Sequence, residues 1–80
     1  TPEEDRVILE QAARDLDRRA DELGDPTMES LANASRTVAE TGERFTRLSE
    51  DTQERYQDEW QRKLAEMRAD AEEFIQQLRP

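Results

Sequence analysis

The fold is decided by a short interruption in the chain, Gly24-Asp25-Pro26-Thr27. Gly24 can supply the left-handed residue that ends a helix, while Asp25 is suited to capping the next helix and Pro26 to its first turn. Such a short connection makes the helices on its two sides antiparallel neighbours. The interruption therefore predicts a helical hairpin.

The segment before the interruption has the sequence features of a complete helix. Thr1 is a suitable N-cap, Pro2 a suitable first helical residue, and Glu4 can complete a capping box with Thr1. Apolar residues recur at alternating spacings of four and three, namely Leu9, Ala13, Leu16, Ala20 and Leu23. We expect helix 1 to cover residues 2–23.

The segment after the interruption carries a smaller and more polar stripe. The same spacing is followed by Met28, Leu31, Ser35, Val38, Gly42 and Phe45. We expect helix 2 to cover residues 26–48, although its Asn, Ser and Thr residues give it the weakest helix propensity of the three segments. Ser35 and Gly42 are expected to allow close helix approach, the alternative being a small-ligand cavity beside them and Ala39.

The last segment has the longest stripe. Ser49 is suited to an N-cap and is followed by acidic residues, which favour the positive end of a helix dipole. The stripe then runs through Tyr56, Trp60, Leu64, Met67, Ala71, Phe74 and Leu78. We expect helix 3 to cover about residues 50–79, with the rings of Tyr56 and Trp60 opposite the small residues Gly42 and Ala39.

These segments predict an all-α, up-down-up three-helix bundle that forms a single domain over residues 1–80. The positive evidence is the volume match between large rings on helix 3 and small residues on helix 2. Two alternatives concern the second connection. The break lies at Gly42 in one, and in the other helices 2 and 3 run on as one rod, giving a helical hairpin that self-associates into a coiled-coil bundle.

The composition argues against an enzyme. The 80 residues include no His and no Cys, which are the usual ligands of zinc, haem, iron–sulfur and copper sites. A Ser–His or Cys–His nucleophile pair is therefore ruled out. The acidic run around Asp15 and Asp17 does not fit a calcium loop either, because Ala20 and Pro26 occupy the positions of its Gly and Glu. We expect no catalytic, cofactor-binding or metal-ligating residue.

The charge limits the classes of partner. The formal net charge is −9, from 12 basic and 21 acidic residues, and it repels phosphates. Tyr56 and Trp60 are therefore interpreted as core aromatics, and we expect no direct nucleic-acid binding. The acidity leaves one alternative function, an acidic decoy that occupies the basic groove of a nucleic-acid-binding protein. Salt would weaken such binding steeply, whereas apolar docking would resist it.

The longest strongly apolar run, Val7-Ile8-Leu9, is far shorter than the ~20 residues of a membrane span. We therefore expect a soluble chain with no signal peptide, no transmembrane helix and no membrane partner, and the sequence leaves its compartment open.

The apolar residues near the two ends are the expected partner surface. Helix 3 is the longest helix, so Phe74, Ile75 and Leu78 are expected to project past the start of helix 2, and Val7 and Ile8 lie at the other end. We expect a scaffold or a protein-binding module that uses these helix faces, with self-association at the C-terminal end as the specific hypothesis.

In its capped helices, its short loop and its lack of Cys and His, the chain resembles idealised de novo designed three-helix bundles. The resemblance rests on Thr1-Pro2-Glu3-Glu4 and on Gly24-Asp25-Pro26-Thr27. It implies the same three-helix architecture and no natural function. The polar residues of helix 2 and the use of eleven Arg against one Lys depart from that pattern, which keeps a natural protein–protein interaction domain as the alternative.

Overall fold

The computed structural model describes residues 1–78 and contains, within them, the three helices α1 (Pro2–Glu22), α2 (Met28–Phe45) and α3 (Glu50–Gln77). The expected all-α three-helix bundle is thus confirmed. The alternative of one rod from helices 2 and 3 is wrong, because the chain leaves the helical conformation between Phe45 and Glu50. A break at Gly42 is also wrong, since α2 continues past it.

The first helix begins as expected and ends one residue early. The Thr1 hydroxyl oxygen accepts a hydrogen bond from the Glu4 N–H at 3.3 Å. At the other end, the Gly24 N–H donates to the Asp21 carbonyl at 3.1 Å. Gly24 does not adopt a positive φ, so the left-handed conformation expected there is wrong. The helix instead tightens into a 3₁₀-type turn, which any residue can adopt.

The second helix is shorter than expected at both ends. Its N-cap is Thr27, which forms a reciprocal capping box with Ser30: the hydroxyl of each accepts from the N–H of the other, at 3.0 and 2.7 Å. Asp25 and Pro26 therefore precede the helix. After Phe45 the chain forms a tight turn, in which the Leu48 N–H donates to the Phe45 carbonyl at 3.1 Å.

The buried face of α2 differs from the predicted stripe. It consists of Ser30, Ala34, Thr37 and Thr41. Met28 and Ser35 are exposed instead, and a Cβ built on Gly42 would meet nothing within 4 Å, so close helix approach at Ser35 and Gly42 is wrong. The physical reason is that threonine can bury its methyl group when its hydroxyl is satisfied locally. The Thr41 hydroxyl, fully buried, donates to the Thr37 carbonyl at 2.9 Å.

The core lies where the three helices meet. Its buried members are Leu16, Leu23, Ala34 and Met67, and Leu31, Val38, Trp60 and Leu64 pack around them. Trp60 stacks on Phe45 with ring centroids 5.1 Å apart and an angle of 20° between the rings, rather than packing against Ala39 as expected, since Ala39 is exposed. The large ring finds an aromatic partner one turn further along α2.

The helices do not pack equally. α1 and α2 pack closely along their length, whereas α3 approaches the hairpin at fewer places. The radius of gyration is 13.8 Å, above the ~12 Å of a compact domain of this size. Among the described helices, none combines the length and apolar character that crossing a membrane requires.

Candidate binding surfaces

The carboxylate of Asp5 joins the N-terminal ends of α1 and α3. It is 5% exposed and accepts hydrogen bonds from the Ser49 N–H at 3.2 Å, from the Ser49 hydroxyl, and from the Thr52 hydroxyl at 2.7 Å. Ser49 is the N-cap of α3 as expected, but its hydroxyl accepts no backbone N–H of α3 and instead donates to the Asp5 carboxylate and to the Thr52 hydroxyl, the latter at 3.0 Å. A negative group from α1 therefore lies at the N-terminal end of α3, where the helix dipole favours it.

These hydrogen bonds lower the pKa of Asp5. The largest cause is the Ser49 hydroxyl, the next is the Thr52 hydroxyl, and both stabilise the ionised carboxylate. Asp5 accordingly stays charged although it is buried. It serves as a structural link between two helices.

Two ion pairs connect different helices. Arg44 of α2 lies 3.2 Å from the Asp15 carboxylate of α1, and Lys63 of α3 lies 2.6 Å from that of Asp17. Glu59 and Lys63 have the i,i+4 spacing of helical ion pairs, but Lys63 pairs with Asp17 of α1 instead. Asp17 and Lys63 have nearly the same sequence separation as Asp5 and Ser49, which is the geometry of parallel helices. Both links therefore hold α3 beside α1.

Most basic side chains are engaged by carboxylates. Ion pairs within 4.0 Å involve Arg6, Arg14, Arg18, Arg19, Arg36, Arg44, Arg47, Arg55 and Lys63. Several are the helical i,i+4 pairs that the sequence predicts, such as Glu43 with Arg47 at 3.1 Å. Basic groups are thus interleaved with the acids and break the surface into short stretches of negative charge.

An apolar cleft of about 460 Å³ opens between α1 and α3. Ile8 and Leu9 form one wall, Tyr56 and Trp60 form the other, and Phe45 lies behind them. The volume falls in the range of small-molecule sites, which is roughly 300–1,000 Å³. We call this feature the α1/α3 cleft.

The α1/α3 cleft is not the cavity that the sequence suggested beside Ser35, Ala39 and Gly42. Ser35 and Ala39 are exposed, and none of Ser35, Ala39 and Gly42 lines either of the described pockets. The alternative of a small-ligand cavity beside them is therefore wrong, because α2 turns Ser35 and Ala39 to solvent.

The charged residues that line the α1/α3 cleft differ in whether they have an ion-pair partner. Its lining cations are Arg6, Arg55 and Lys63, and each lies within 4.0 Å of at least one carboxylate. The pKa of Arg6 is raised, chiefly by its hydrogen bond with Glu3 and next by the charge of Glu10. Among the described residues, no cation pairs with the Glu59 carboxylate, which also lines the cleft. Asp5, the other lining carboxylate without an ion-pair partner in residues 1–78, is buried and accepts hydrogen bonds from Ser49 and Thr52, so Glu59 is the exposed lining charge left without a partner.

The end of α3 extends beyond the core. Met67 is buried in the same cluster as Leu23, which follows α1, and the helix then continues to Gln77. We call residues 68–78 the α3 extension. Ile75 is 42% exposed and Leu78 is 56% exposed, while Phe74 is half-buried.

Val7 and Ile8, which form the second expected partner surface, lie in different environments. Val7 is exposed, as a partner surface requires, whereas Ile8 is half-buried and lines the α1/α3 cleft. The structure therefore does not bring Val7 and Ile8 together into one exposed patch, and the α3 extension holds the larger group of accessible apolar side chains.

A second, shallow depression near the α1–α2 connection is acidic. Asp21, Glu22, Asp25 and Glu29 are among its lining residues. Glu22 is engaged by Arg19 at 2.8 Å, and within residues 1–78 no three acidic side chains converge on a common point that could hold a metal ion.

No protein-family model, no curated protein sequence and no solved structure matches the chain.

Two of these features were missed by reasoning from the sequence. The hydrogen bonds of Asp5 to the start of α3 have only a weak sequence signal. It consists of an acid near the start of one helix and a Ser-x-x-Thr motif, Ser49 to Thr52, at the start of a parallel helix. The α1/α3 cleft has none, because its width depends on the combined size of side chains from three helices.

Proposed function

We propose that this chain is a non-enzymatic protein-binding module that pairs with a second copy of itself through the α3 extension. The observation that carries the proposal is the continuation of the buried stripe of α3 past the core. Met67 packs inside the bundle, whereas Ile75 and Leu78 on the same helix are exposed. Contiguous exposed apolar residues of this kind mark interaction surfaces.

The length of the α3 extension favours a helical partner. α3 has 28 residues and α2 has 18, which correspond to about 42 and 27 Å of helix. A helix of fewer than roughly 12 residues without tertiary contacts is marginal in water. The extension is therefore stabilised most by a partner that covers Ala71, Phe74 and Leu78 along its whole length.

A second copy meets that requirement. Two extensions placed antiparallel present stripes of equal length to each other, and each covers the other in a two-fold symmetric contact. The two hairpins then point away from each other and do not collide. With a net charge of −9 on each copy, repulsion opposes the pairing. Added salt screens this repulsion, so it strengthens self-association and weakens attraction to a basic partner.

Sedimentation equilibrium from micromolar to millimolar concentration tests the proposal. We expect the wild type to dimerise, more tightly at higher salt, and Phe74→Asp to remain monomeric. Gln76→Asp is the matched control, because it adds the same charge on the opposite side of the helix and leaves dimerisation largely intact. Leu78→Asp repeats the test at a residue outside the core, and circular dichroism verifies that each variant folds.

A monomeric wild type at millimolar concentration would contradict the proposal. So would equal association of Phe74→Asp and wild type. Association that weakens steeply with salt would instead indicate an electrostatic contact.

A further inference from the structure

The α1/α3 cleft has a chemical character that the proposed pairing through the α3 extension does not explain. Its volume of about 460 Å³ is bounded by aliphatic side chains of α1 and by aromatic side chains of α3. The α3 extension lies outside it, because no residue beyond Lys63 lines the cleft. The cleft is thus a separate surface, and any ligand in it is independent of pairing through the α3 extension.

The aromatic wall favours a cation over an anion. Tyr56 and Trp60 line the cleft from α3, and Trp60 is held in place by its stack on Phe45, with centroids 5.1 Å apart. Aromatic faces carry a partial negative charge and attract organic cations, while their area also buries apolar surface.

The charges around the cleft also favour a cation over an anion. Lys63 is 2.6 Å from Asp17 and Arg55 is 3.3 Å from Asp51, so these cations are already neutralised by the chain's own acids. Glu59 has no such partner among the described residues, and the chain as a whole carries −9. A bound anion would meet repulsion, whereas a cation would gain an ionic partner in Glu59.

We propose that the α1/α3 cleft binds a lipophilic organic cation, with the apolar body between Ile8, Tyr56 and Trp60 and the positive charge toward Glu59. The ligand class is an onium or protonated amine with an aromatic or bulky apolar body. Binding is non-covalent, and the energy comes from burial of the apolar body together with the cation–π and ionic contacts.

A pair of ions of equal shape and opposite charge tests the proposal. Tetraphenylphosphonium and tetraphenylborate differ in sign but scarcely in size. Trp60 is the single Trp of the chain, so its emission reports occupancy of the cleft directly. We expect saturable one-to-one binding of tetraphenylphosphonium, seen by fluorescence and by calorimetry, and binding of tetraphenylborate at least about tenfold weaker.

Variants locate the site. Glu59→Gln is expected to weaken tetraphenylphosphonium binding about two- to fivefold, the range of an exposed ionic contact. Glu66→Gln, the matched control, removes the same charge from α3 outside the cleft and leaves the affinity nearly unchanged. Ala13→Phe places a large ring in the cleft from an exposed position of α1, so it abolishes binding without disturbing the core.

Each contrary outcome is decisive. Equal or tighter binding of tetraphenylborate overturns the proposal, as does binding that Ala13→Phe leaves intact or the absence of binding by either ion. Repeating the titration in the Phe74→Asp background separates this result from the proposed dimerisation, since the cleft does not include the α3 extension.

Discussion

The Asp5 carboxylate of α1 accepts hydrogen bonds from both the backbone N–H and the hydroxyl of Ser49, the N-cap of α3, across 44 positions of sequence. This contact and the Asp17–Lys63 ion pair join α1 to α3 in addition to the core cluster that Leu16 shares with Met67. The cleft between the two helices opens in the stretch between these links.

Removing the Asp5 contact is expected to loosen α3. Ser49→Ala should lower the unfolding free energy, since it deletes one hydrogen bond to a charged group. Asp5→Asn should lower the melting temperature by several degrees, because Ser49 and Thr52 lose a charged acceptor. In the double variant the two effects should not add. Urea unfolding measures them, with the exposed Asp58→Asn as a control expected to change little.

The same carboxylate predicts a pH dependence. The pKa of Asp5 is lowered in the folded chain, so its stabilising contribution is fully present above the unfolded pKa of about 3.9. That contribution is lost as the pH falls from about 4 through the lower folded pKa. The difference in melting temperature between wild type and Asp5→Asn should therefore be constant near neutral pH and shrink below pH ~4. A difference that grows on acidification would contradict the assignment.

The two glycines should respond oppositely to alanine. A Cβ on Gly42 meets open space within α2, so Gly42→Ala should raise the unfolding free energy by about 0.5–1 kcal/mol through reduced entropy of the unfolded chain. A Cβ on Gly24 would lie 3.2 Å from the Asp21 carbonyl oxygen. Gly24→Ala should be neutral or destabilising in the same urea titration.

The core residues that the sequence predicted correctly were identified by apolar periodicity. Leu16 and Met67 are large and regularly spaced, and both are core residues as their stripes indicate. The start of α1 could be predicted equally well, because Thr1 and Pro2 are residue types that favour the N-cap and the first helical position of any helix. These features depend on residues close together in sequence.

The buried face of α2 could not be predicted from apolar periodicity. Thr37 and Thr41 count as polar in any apolar pattern, yet both are buried because their hydroxyls have partners. Thr41 bonds a carbonyl of its own helix, while Thr37 accepts from the Arg19 side chain at 2.9 Å. That second partner lies on α1, so only the packed hairpin reveals it.

These two threonines should differ when changed to valine. Thr41→Val removes a hydroxyl whose acceptor, the Thr37 carbonyl, keeps its helical hydrogen bond, so stability should change by less than about 1 kcal/mol. Thr37→Val leaves the half-buried Arg19 Nε–H without its acceptor and should cost about 1–2 kcal/mol. Thermal or urea unfolding compares them. Equal losses would show that the Arg19 contact contributes nothing specific.

Hydrogen exchange should divide the bundle by its packing. The amides of α1 and α2 are expected to be the most protected, because the hairpin packs closely along its length. Residues 68–77 are helical but extend past the core, so their amides should exchange fastest among those of the helices at low protein concentration. Their protection should rise with concentration in the wild type and in Gln76→Asp, and stay low in Phe74→Asp. Because pairing through the α3 extension covers Phe74 and Leu78 and nothing in the hairpin, a rise confined to residues 68–77 identifies the contact. A uniform rise along the chain would instead indicate a general stabilisation of the bundle.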